Sequence, residues 1–269
     1  MDRKVVLITG GSSGIGKSIG TYLTSKGFKV YGTTRNPKKY PDFDAFELLQ
    51  LDVRLPESIQ KTVSEIIFKE GKLDVLVNNA GVGITGPIEE TPHEEILNVF
   101  DINFHGPVHV MKAVLPQMRK QGGGKVINIT SIAGYMGLPY RGYYSAAKGA
   151  LGILTEALNM EVKDFGISIS NLAPGDFATN IAAGRYHAPV TEDSAYQKPY
   201  QKTLDLINEH VDSAGDPIQV AEKVYAIIQK RNPKIHYPVG EFTQRLSLFL
   251  KKILPDKLYE KLLLNHYKL

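Results

Sequence analysis

The 269-residue sequence contains no cysteine, which excludes disulfide bonds, thiolate metal ligands and cysteine nucleophiles. Its seven histidines form no H-E-x-x-H or similar ligand pattern, so we expect no metal ion in the site. No apolar run approaches the ~20 residues that are needed to cross a bilayer. The N-terminus enters an apolar run within a few residues and lacks the core of a signal peptide. We therefore expect a cytoplasmic protein.

Charge of one sign is also scarce, since a net charge of +4 is too small to indicate a nucleic-acid-binding protein. The charge is unevenly distributed, because residues 241–269 carry six Lys or Arg against three Asp or Glu. The chain has no internal repeat and no low-complexity segment. Its length suits one α/β domain, which we place at 1–240, followed by a basic helical extension at 241–269.

Short apolar runs rich in β-branched residues alternate with segments of helical periodicity along residues 4–239. Such alternation implies right-handed βαβ crossovers and a parallel sheet that is covered by helices on both faces. The sequence therefore predicts a Rossmann-type, doubly wound α/β fold in a single domain. The predicted strands are 4–8, 29–34, 47–51, 73–77, 126–129, 167–172 and 235–239, and the predicted helices are 14–26, 56–70, 92–119, 142–165 and 217–229.

A glycine-rich turn at residues 9–16 follows the first predicted strand and opens the first predicted helix. Gly10 allows a tight turn, Gly14 allows backbone to approach a pyrophosphate, and Gly16 allows close helix packing. Amides at the helix N-terminus would face the phosphates, and the intervening Ser12, Ser13 and Ile15 belong to the same predicted site. The G-x-x-x-G-x-G spacing departs from G-x-G-x-x-G, so a plain tight turn is the alternative.

The end of the second strand bears on the choice of nucleotide. A site for NAD usually has an acidic residue there, whereas this strand ends in Thr34 and Arg35 with no acid before Asp42. A hydroxyl followed by a guanidinium suits the 2′-phosphate of NADP, although Arg35 could also be a solvated loop cation. Asp52, followed by Val53, is predicted to bind the adenine amine, with a turn or helix cap as the equal alternative.

A hydroxyl, a phenol and an ammonium group come together around the predicted helix at 142–165. Ser131 follows the strand at 126–129, and Tyr144 and Lys148 lie on one face of the helix at i and i+4. The ammonium should lower the pKa of the phenol and make it a general acid/base near neutral pH. Spacing alone is weak, because Tyr22 and Lys26 repeat it on the first helix.

Five motifs in order carry a family resemblance: Thr9-Gly10-x3-Gly14-Ile15-Gly16, Asn78-Asn79-Ala80-Gly81, Ser131, Tyr144-x3-Lys148 and Pro174-Gly175. Over about residues 3–240 the chain resembles the compact branch of the short-chain dehydrogenase/reductase family. The resemblance implies that Tyr144 exchanges a proton with the substrate oxygen, that Ser131 polarises this oxygen, and that Lys148 holds the nicotinamide ribose. It further implies a relay water at Asn103, adenosine contacts from Asn79, Ala80 and Gly81, and nicotinamide or pyrophosphate contacts from Pro174, Gly175 and Thr179.

The substrate pocket is expected between residues 132–143, residues 82–90 and a segment at 180–215 that would form a lid. The first of these is mostly apolar and aromatic, which predicts a bulky apolar ketone or secondary alcohol as substrate. Roles for Arg141 and Arg185 stay open, as does the orientation of Asp176. The segment 137–139 and the basic extension look similar to family members that act on steroids, retinoids or 3-keto lipids.

The extension at 241–269 carries two apolar stripes that are separated by Pro255. These stripes could pack on the body of the protein, form a subunit interface or lie on a membrane surface. The resemblance implies a homodimer or homotetramer paired through the helices at 92–119 and 142–165. A non-catalytic NADP(H)-binding sensor or scaffold is the alternative function, and a nucleotide-sugar epimerase or dehydratase ranks low because little room remains for a substrate domain.

Overall fold

The computed structural model describes residues 3–177, 184–212 and 215–269. The strands are β1 (Val5–Ile8), β2 (Lys29–Thr34), β3 (Glu47–Gln50), β4 (Val75–Asn78), β5 (Ile84–Thr85), β6 (Gly124–Ile129), β7 (Ile167–Pro174), β8 (Tyr186–His187) and β9 (His236–Val239). The helices are α1 (Gly14–Ser25), α2 (Pro56–Glu70), α3 (His93–Phe100), α4 (Gly106–Lys120), α5 (Gly142–Glu161), α6 (Gln197–Asp212), α7 (Ile218–Gln229), α8 (Phe242–Ile253) and α9 (Asp256–His266).

Seven of the described strands form a parallel sheet in the order β3-β2-β1-β4-β6-β7-β9, and β5 pairs separately with β8. Successive strands run outward from β1 in one direction and then from β4 in the other, so the order reverses between these two strands. At their carboxyl ends Ile8 pairs with Gly32 of β2 and with Val77 of β4. The predicted Rossmann-type, doubly wound fold is confirmed. Ligands of such folds bind where the strand order reverses.

The sheet is covered on both faces by apolar clusters. On one face Leu7 and Val126 pack with buried residues of α2, α4 and α5, such as Val114. On the other face Ile8 and Ile127 pack with α1 and α7. Because each central strand is buried on both sides, it reads as a continuous apolar run rather than an alternating one.

The single helix predicted over 92–119 is interrupted in the structure. Residues Asp101–His105 form a π-helical turn between α3 and α4, in which the Gly106 amide donates to the carbonyl of Asp101. Pro107 has no N–H to donate to the carbonyl of Asn103 four residues earlier, which explains the loss of α-helical pairing here. The interrupted segment contains Asn103, a predicted catalytic residue, whose side chain is fully buried.

The segment at 176–215, predicted to lack periodic structure, contains the helix α6. Its apolar face is short and is interrupted by polar residues, with Tyr200, Leu206 and Ile207 buried. The buried residues recur at helical spacing, but the pattern covers too few positions to predict a helix from the sequence. Residue Thr179, a predicted cofactor contact, lies outside the described residues.

The extension at 241–269 folds as α8 and α9 against the body of the protein. Tyr259 of α9 packs with Ile132 and Met136, and its hydroxyl lies 2.8 Å from the Met136 sulfur. Gln244 of α8 donates from its side-chain amide to the carboxylate of Asp176, at 3.0 Å. The inward face of the extension therefore packs on the body, as one of the three alternatives predicted.

Candidate active site

A cavity of about 330 Å³ lies at the carboxyl ends of β1, β2 and β4, where the strand order reverses. Most of the predicted cofactor residues line it, and the set fits an elongated dinucleotide with a phosphate-binding turn near its middle. The predicted residues that line it are Gly10, Ser12, Ser13, Gly14, Ile15, Thr34, Arg35, Asp52, Val53, Asn79, Ala80 and Gly81.

The glycine turn has a backbone shape that other residues would not adopt. Gly10 and Gly14 have φ angles of +66° and +51°, in the left-handed region. A β-carbon on Gly16 would collide with the Gly10 carbonyl and with the side-chain amide of Asn79. The turn is thus held close to α1, whose N-terminal amides face the cavity.

Asn79, which lines the cavity, also holds the glycine turn in place. Its side chain donates to the carbonyls of Thr9 and Gly10, at 2.9 and 3.0 Å. The Thr9 hydroxyl in turn accepts from the backbone amides of Asn79 and Ala80, both at 3.0 Å. These bonds fasten the end of β4 to the turn after β1 and fix the floor of the cavity.

At the adenosine end the structure adds a cation that the sequence reasoning missed. Arg54 lines the cavity together with Arg35, and its guanidinium lies 2.7 Å from the Asp52 carboxylate. The hydrogen bond from Arg54 holds the pKa of Asp52 below its usual value, so this carboxylate stays ionised. Arg54 follows Asp52, the predicted adenine residue, by two positions, but only the fold shows that its guanidinium turns back onto that carboxylate.

Ser131 and Tyr144 meet at the end of β6. The Ser131 hydroxyl accepts from the backbone amide of Ala133 at 3.2 Å and lies 3.4 Å from the carbonyl of Pro174. It also hydrogen-bonds with the Tyr144 side chain, which lies on the first turn of α5. Ser131, predicted to polarise the substrate oxygen, therefore forms a hydrogen bond with Tyr144, predicted to protonate that oxygen.

The pKa of Tyr144 is raised, not lowered as we expected from Lys148. Loss of water around the phenol raises the pKa most, and Asp176 raises it further. The nearby Arg141 opposes this shift, with its guanidinium carbon 5.5 Å from the centre of the phenol ring, as does the bond with Ser131. Burial disfavours the phenolate more than these neighbours favour it.

Lys148 is 5% exposed, and its ammonium group donates to the carbonyl of Ile129 at 3.0 Å. Burial lowers the pKa of Lys148 to about 8. The ammonium nitrogen lies 6.0 Å from the centre of the Tyr144 ring, on the shared helix face that the sequence predicted. It is near Gly81, because a β-carbon there would come within 3.4 Å of the same nitrogen.

Asn103 lies beside the same glycine. Its side-chain oxygen accepts from the Val82 amide at 2.9 Å, and its side-chain nitrogen donates to the Val82 carbonyl at 2.8 Å. A β-carbon on Gly81 would come within 3.1 Å of that oxygen. Asn103, which lies within the π-helical turn, thus fixes the backbone that follows β4 through two side-chain hydrogen bonds.

A second cavity, of about 280 Å³, opens beside Ser131 between the body and the extension. Residues 131–141 form one wall as expected, but residues 82–90 and the described part of 180–215, which were also predicted, do not line this cavity. Helices α8 and α9 form the opposite wall, which the sequence reasoning missed. Its apolar lining is Ile132, Ala133, Met136, Leu138, Leu250, Leu262 and Leu263. Arg141, Gly175 and Asp176 supply polar groups near its inner end, so Asp176 lies at the pocket and is held there by Gln244.

The structure brings the two arginines of uncertain role towards one another. Burial, followed by the charge of Arg141, lowers the pKa of Arg185. Tyr144 and Asp176 oppose that shift, so all four groups interact around the inner end of the pocket. Arg141 and Arg185, whose roles the sequence left open, therefore belong to one group of interacting side chains with Tyr144 and Asp176.

Comparison with known proteins identifies the family of the chain. The family model described as short chain dehydrogenase matches residues 4–189. The chain is 38% identical to a 3-ketodihydrosphingosine reductase of Bacteroides thetaiotaomicron, over 97% of this chain and 96% of the relative. It is 33% identical to human 17-beta-hydroxysteroid dehydrogenase type 1, over 95% of this chain and 82% of that protein.

Solved structures are similar over nearly the whole fold. A short-chain dehydrogenase from Streptomyces avermitilis has a TM-score of 0.80 and 31% identity, and the match covers 97% of each chain. ElxO with NADP bound has a TM-score of 0.71 and 29% identity, with 88% of this chain and 97% of that chain covered. The protein belongs to the short-chain dehydrogenase family. It is an oxidoreductase that acts on CH–OH and C=O groups with a nicotinamide cofactor.

Proposed function

We propose that the protein is an NADPH-dependent reductase of a bulky, largely apolar ketone, with a long-chain 3-keto lipid as the substrate class. One observation carries the proposal: the hydroxyl group of Ser131, bonded to Tyr144, opens directly onto the apolar cavity beneath α8 and α9. The similarity to the Bacteroides 3-ketodihydrosphingosine reductase supports a lipid chain over a rigid steroid as the occupant.

The side chains at the inner end of the cavity have complementary tasks. A bound nicotinamide would supply the hydride for the carbonyl carbon or accept it in the reverse reaction. Tyr144 donates its proton to the carbonyl oxygen, while Ser131 hydrogen-bonds to the same oxygen and stabilises its developing negative charge. In our proposal Lys148 would hold the nicotinamide ribose, and Asn103 would hold a relay water. The raised pKa keeps the phenol protonated at neutral pH, which favours reduction.

The preference for NADPH rests on charge at the adenosine end of the first cavity. Thr34 and Arg35 stand where an NAD site has an acid, and Arg54 adds a second guanidinium to the same lining. Asp52 is neutralised by Arg54 at 2.7 Å and so repels a 2′-phosphate less than a free carboxylate would. Arginine holds phosphate oxygens through paired N–H groups.

We also propose a homo-oligomer. On the outward face of α5, Ile153 and Met160 are 71% and 70% exposed, which is unusual for large apolar side chains of a helix this central. A two-fold pairing through this face would bury both side chains in each protomer. Light scattering on the purified protein tests the proposal, and a monomer at micromolar concentration would contradict it.

The function is tested by following NADPH oxidation with long-chain 3-keto substrates and with small polar sugars or polyols. We expect turnover with the former, and turnover confined to the latter would refute the apolar pocket. Tyr144→Phe should remove turnover by at least ~10³-fold while NADPH binding persists. Its matched control is Tyr143→Phe, since the Tyr143 hydroxyl donates to the Ile88 carbonyl at 3.0 Å and Tyr143 does not line the cavity. Full activity in Tyr144→Phe would refute Tyr144 as the proton donor, whereas NADPH binding by the wild type without turnover of any ketone would favour the non-catalytic sensor.

A further inference from the structure

The outer face of α8 is apolar although it meets solvent. Phe242, Leu246, Phe249 and Ile253 are 75%, 37%, 58% and 57% exposed. At about 100° of rotation per residue these positions fall within roughly 60° of arc, so they form one stripe along the helix. We call these four residues the outer stripe. Burying a stripe of this kind is favourable, so an exposed one indicates a contact surface.

The outer stripe is continuous with the lining of the second cavity. Leu250 and Thr243 lie on the adjoining face of α8 and line the cavity. On α9, Leu262 lines the same cavity and is still 43% exposed, so it lies at the cavity mouth. An apolar path therefore leads from the surface of the extension to the hydroxyl group of Ser131.

Basic side chains flank the outer stripe on its other side. Arg245 and Lys252 are exposed on α8, and Lys261 is exposed on α9. None of the three forms an ion pair with any residue in the described ranges 3–177, 184–212 and 215–269. Solvated cations beside an apolar stripe are the arrangement by which an interfacial helix binds anionic lipid.

We propose that the outer stripe docks on an anionic lipid bilayer, so that the cavity between α8, α9 and the body receives its substrate from that bilayer. The supply of substrate rests on the proposed function, whereas the docking does not. The contact is interfacial, because no helix within the described residues is long and apolar enough to cross a membrane.

A second copy of the chain fits the outer stripe less well. Antiparallel pairing of two α8 helices across a two-fold axis would bring Arg245 of one copy towards Lys252 of the other, twice over. Like charges at the edge of an apolar interface oppose its formation. An anionic bilayer offers the opposite charge to every one of these side chains.

The proposal is tested by co-sedimentation of the full chain with phosphatidylcholine vesicles, with and without phosphatidylglycerol. The triple variant Phe242→Ser, Phe249→Ser, Ile253→Ser changes exposed residues that do not line the cavity. We expect at least tenfold weaker binding to the anionic vesicles. Phe68→Ser on α2 is the matched control, since Phe68 is 92% exposed and lies outside the extension, and it should bind like the wild type.

A second variant, Arg245→Gln with Lys252→Gln, addresses the charge. We expect about tenfold weaker binding to anionic vesicles, no change with pure phosphatidylcholine, and a loss of the difference at high salt. Absence of wild-type binding to anionic vesicles would overturn the proposal. An equal loss of vesicle binding in Phe68→Ser would also overturn it. So would a change of oligomeric state in the triple variant if the wild type does not bind vesicles.

Activity separates docking from the proposed function. The triple variant should reduce a short, water-soluble ketone at the wild-type rate and a bilayer-embedded long-chain ketone at least fivefold more slowly. Equal rates on the embedded ketone would refute delivery from the bilayer. Vesicle binding by a protein that reduces no ketone in either form would leave the docking supported and refute the proposed function.

Discussion

The charged ammonium group of Lys148 is buried away from water, which costs free energy of folding. This cost can be measured from the dependence of protein stability on pH. The side chain is 5% exposed, and burial lowers its pKa from 10.5 to about 8. At ~1.4 kcal/mol per pKa unit, a pKa difference of that size corresponds to a penalty of about 3 kcal/mol for burying the charged form at pH 7. We therefore predict that the stability of the wild type relative to Lys148→Met depends strongly on pH.

The sign follows from proton binding. Below pH 8 the lysine is charged in both the folded and the unfolded chain, so the full penalty for burying the charge opposes folding. Between pH 8 and 10.5 the unfolded chain binds more protons than the folded one, and stability rises with pH. From pH 7 to pH 10 the wild type should gain about 2.5 kcal/mol relative to Lys148→Met, which cannot titrate at this position.

The assay is guanidinium unfolding of both proteins at several pH values between 7 and 10. Taking the difference between them cancels the titration of every other group. The loss of the bond to the Ile129 carbonyl adds a constant offset to this difference, so only the change of the difference with pH is interpreted. Leu151→Met is the matched control, because Leu151 is buried on the same helix and neither residue titrates. A difference that stays flat across this range would refute the reasoning that the ammonium is desolvated.

Three further changes test the cofactor turn and the pocket. Arg35→Gln together with Arg54→Gln should raise KM for NADPH by about 10- to 100-fold and leave KM for NADH nearly unchanged in steady-state assays. Gly16→Ala should abolish NADPH binding in a fluorescence titration, because its β-carbon would collide with the backbone of the glycine turn. Asp176→Asn removes a charge that raises the pKa of Tyr144, so the limb of the pH–rate profile for alcohol oxidation should move to lower pH.

The sheet was predictable because its strands obey local rules. Each central strand is an apolar run of a few residues, as for strands buried on both faces, and each is followed by a helix of clear periodicity. The glycine turn was predictable for a similar reason, since its φ angles and close contacts leave little choice of residue. The grouping of Ser131, Tyr144 and Lys148 then follows from the way strand ends meet in a parallel sheet.

What the sequence could not supply depends on contacts between distant segments. The direction of the Tyr144 pKa required knowing how dry the phenol is, which a spacing of four residues does not reveal. The π-helical turn at 101–105 precedes Pro107, and one proline within a helical pattern does not by itself show how the helix is interrupted. Arg54 was overlooked because only the folded loop turns it back onto Asp52 at 2.7 Å.

The position of the extension changes how its role must be tested. Removing residues 241–269 would take away one wall of the cavity as well as the outer stripe, because Leu250 and Leu262 line the pocket beside Ser131. Loss of activity or of lipid binding in such a truncation would therefore not distinguish a membrane contact from a collapsed pocket. Substitutions confined to the outward side chains of α8 leave the wall in place. The two faces of that one helix are the reason that substrate selection and lipid contact can be separated.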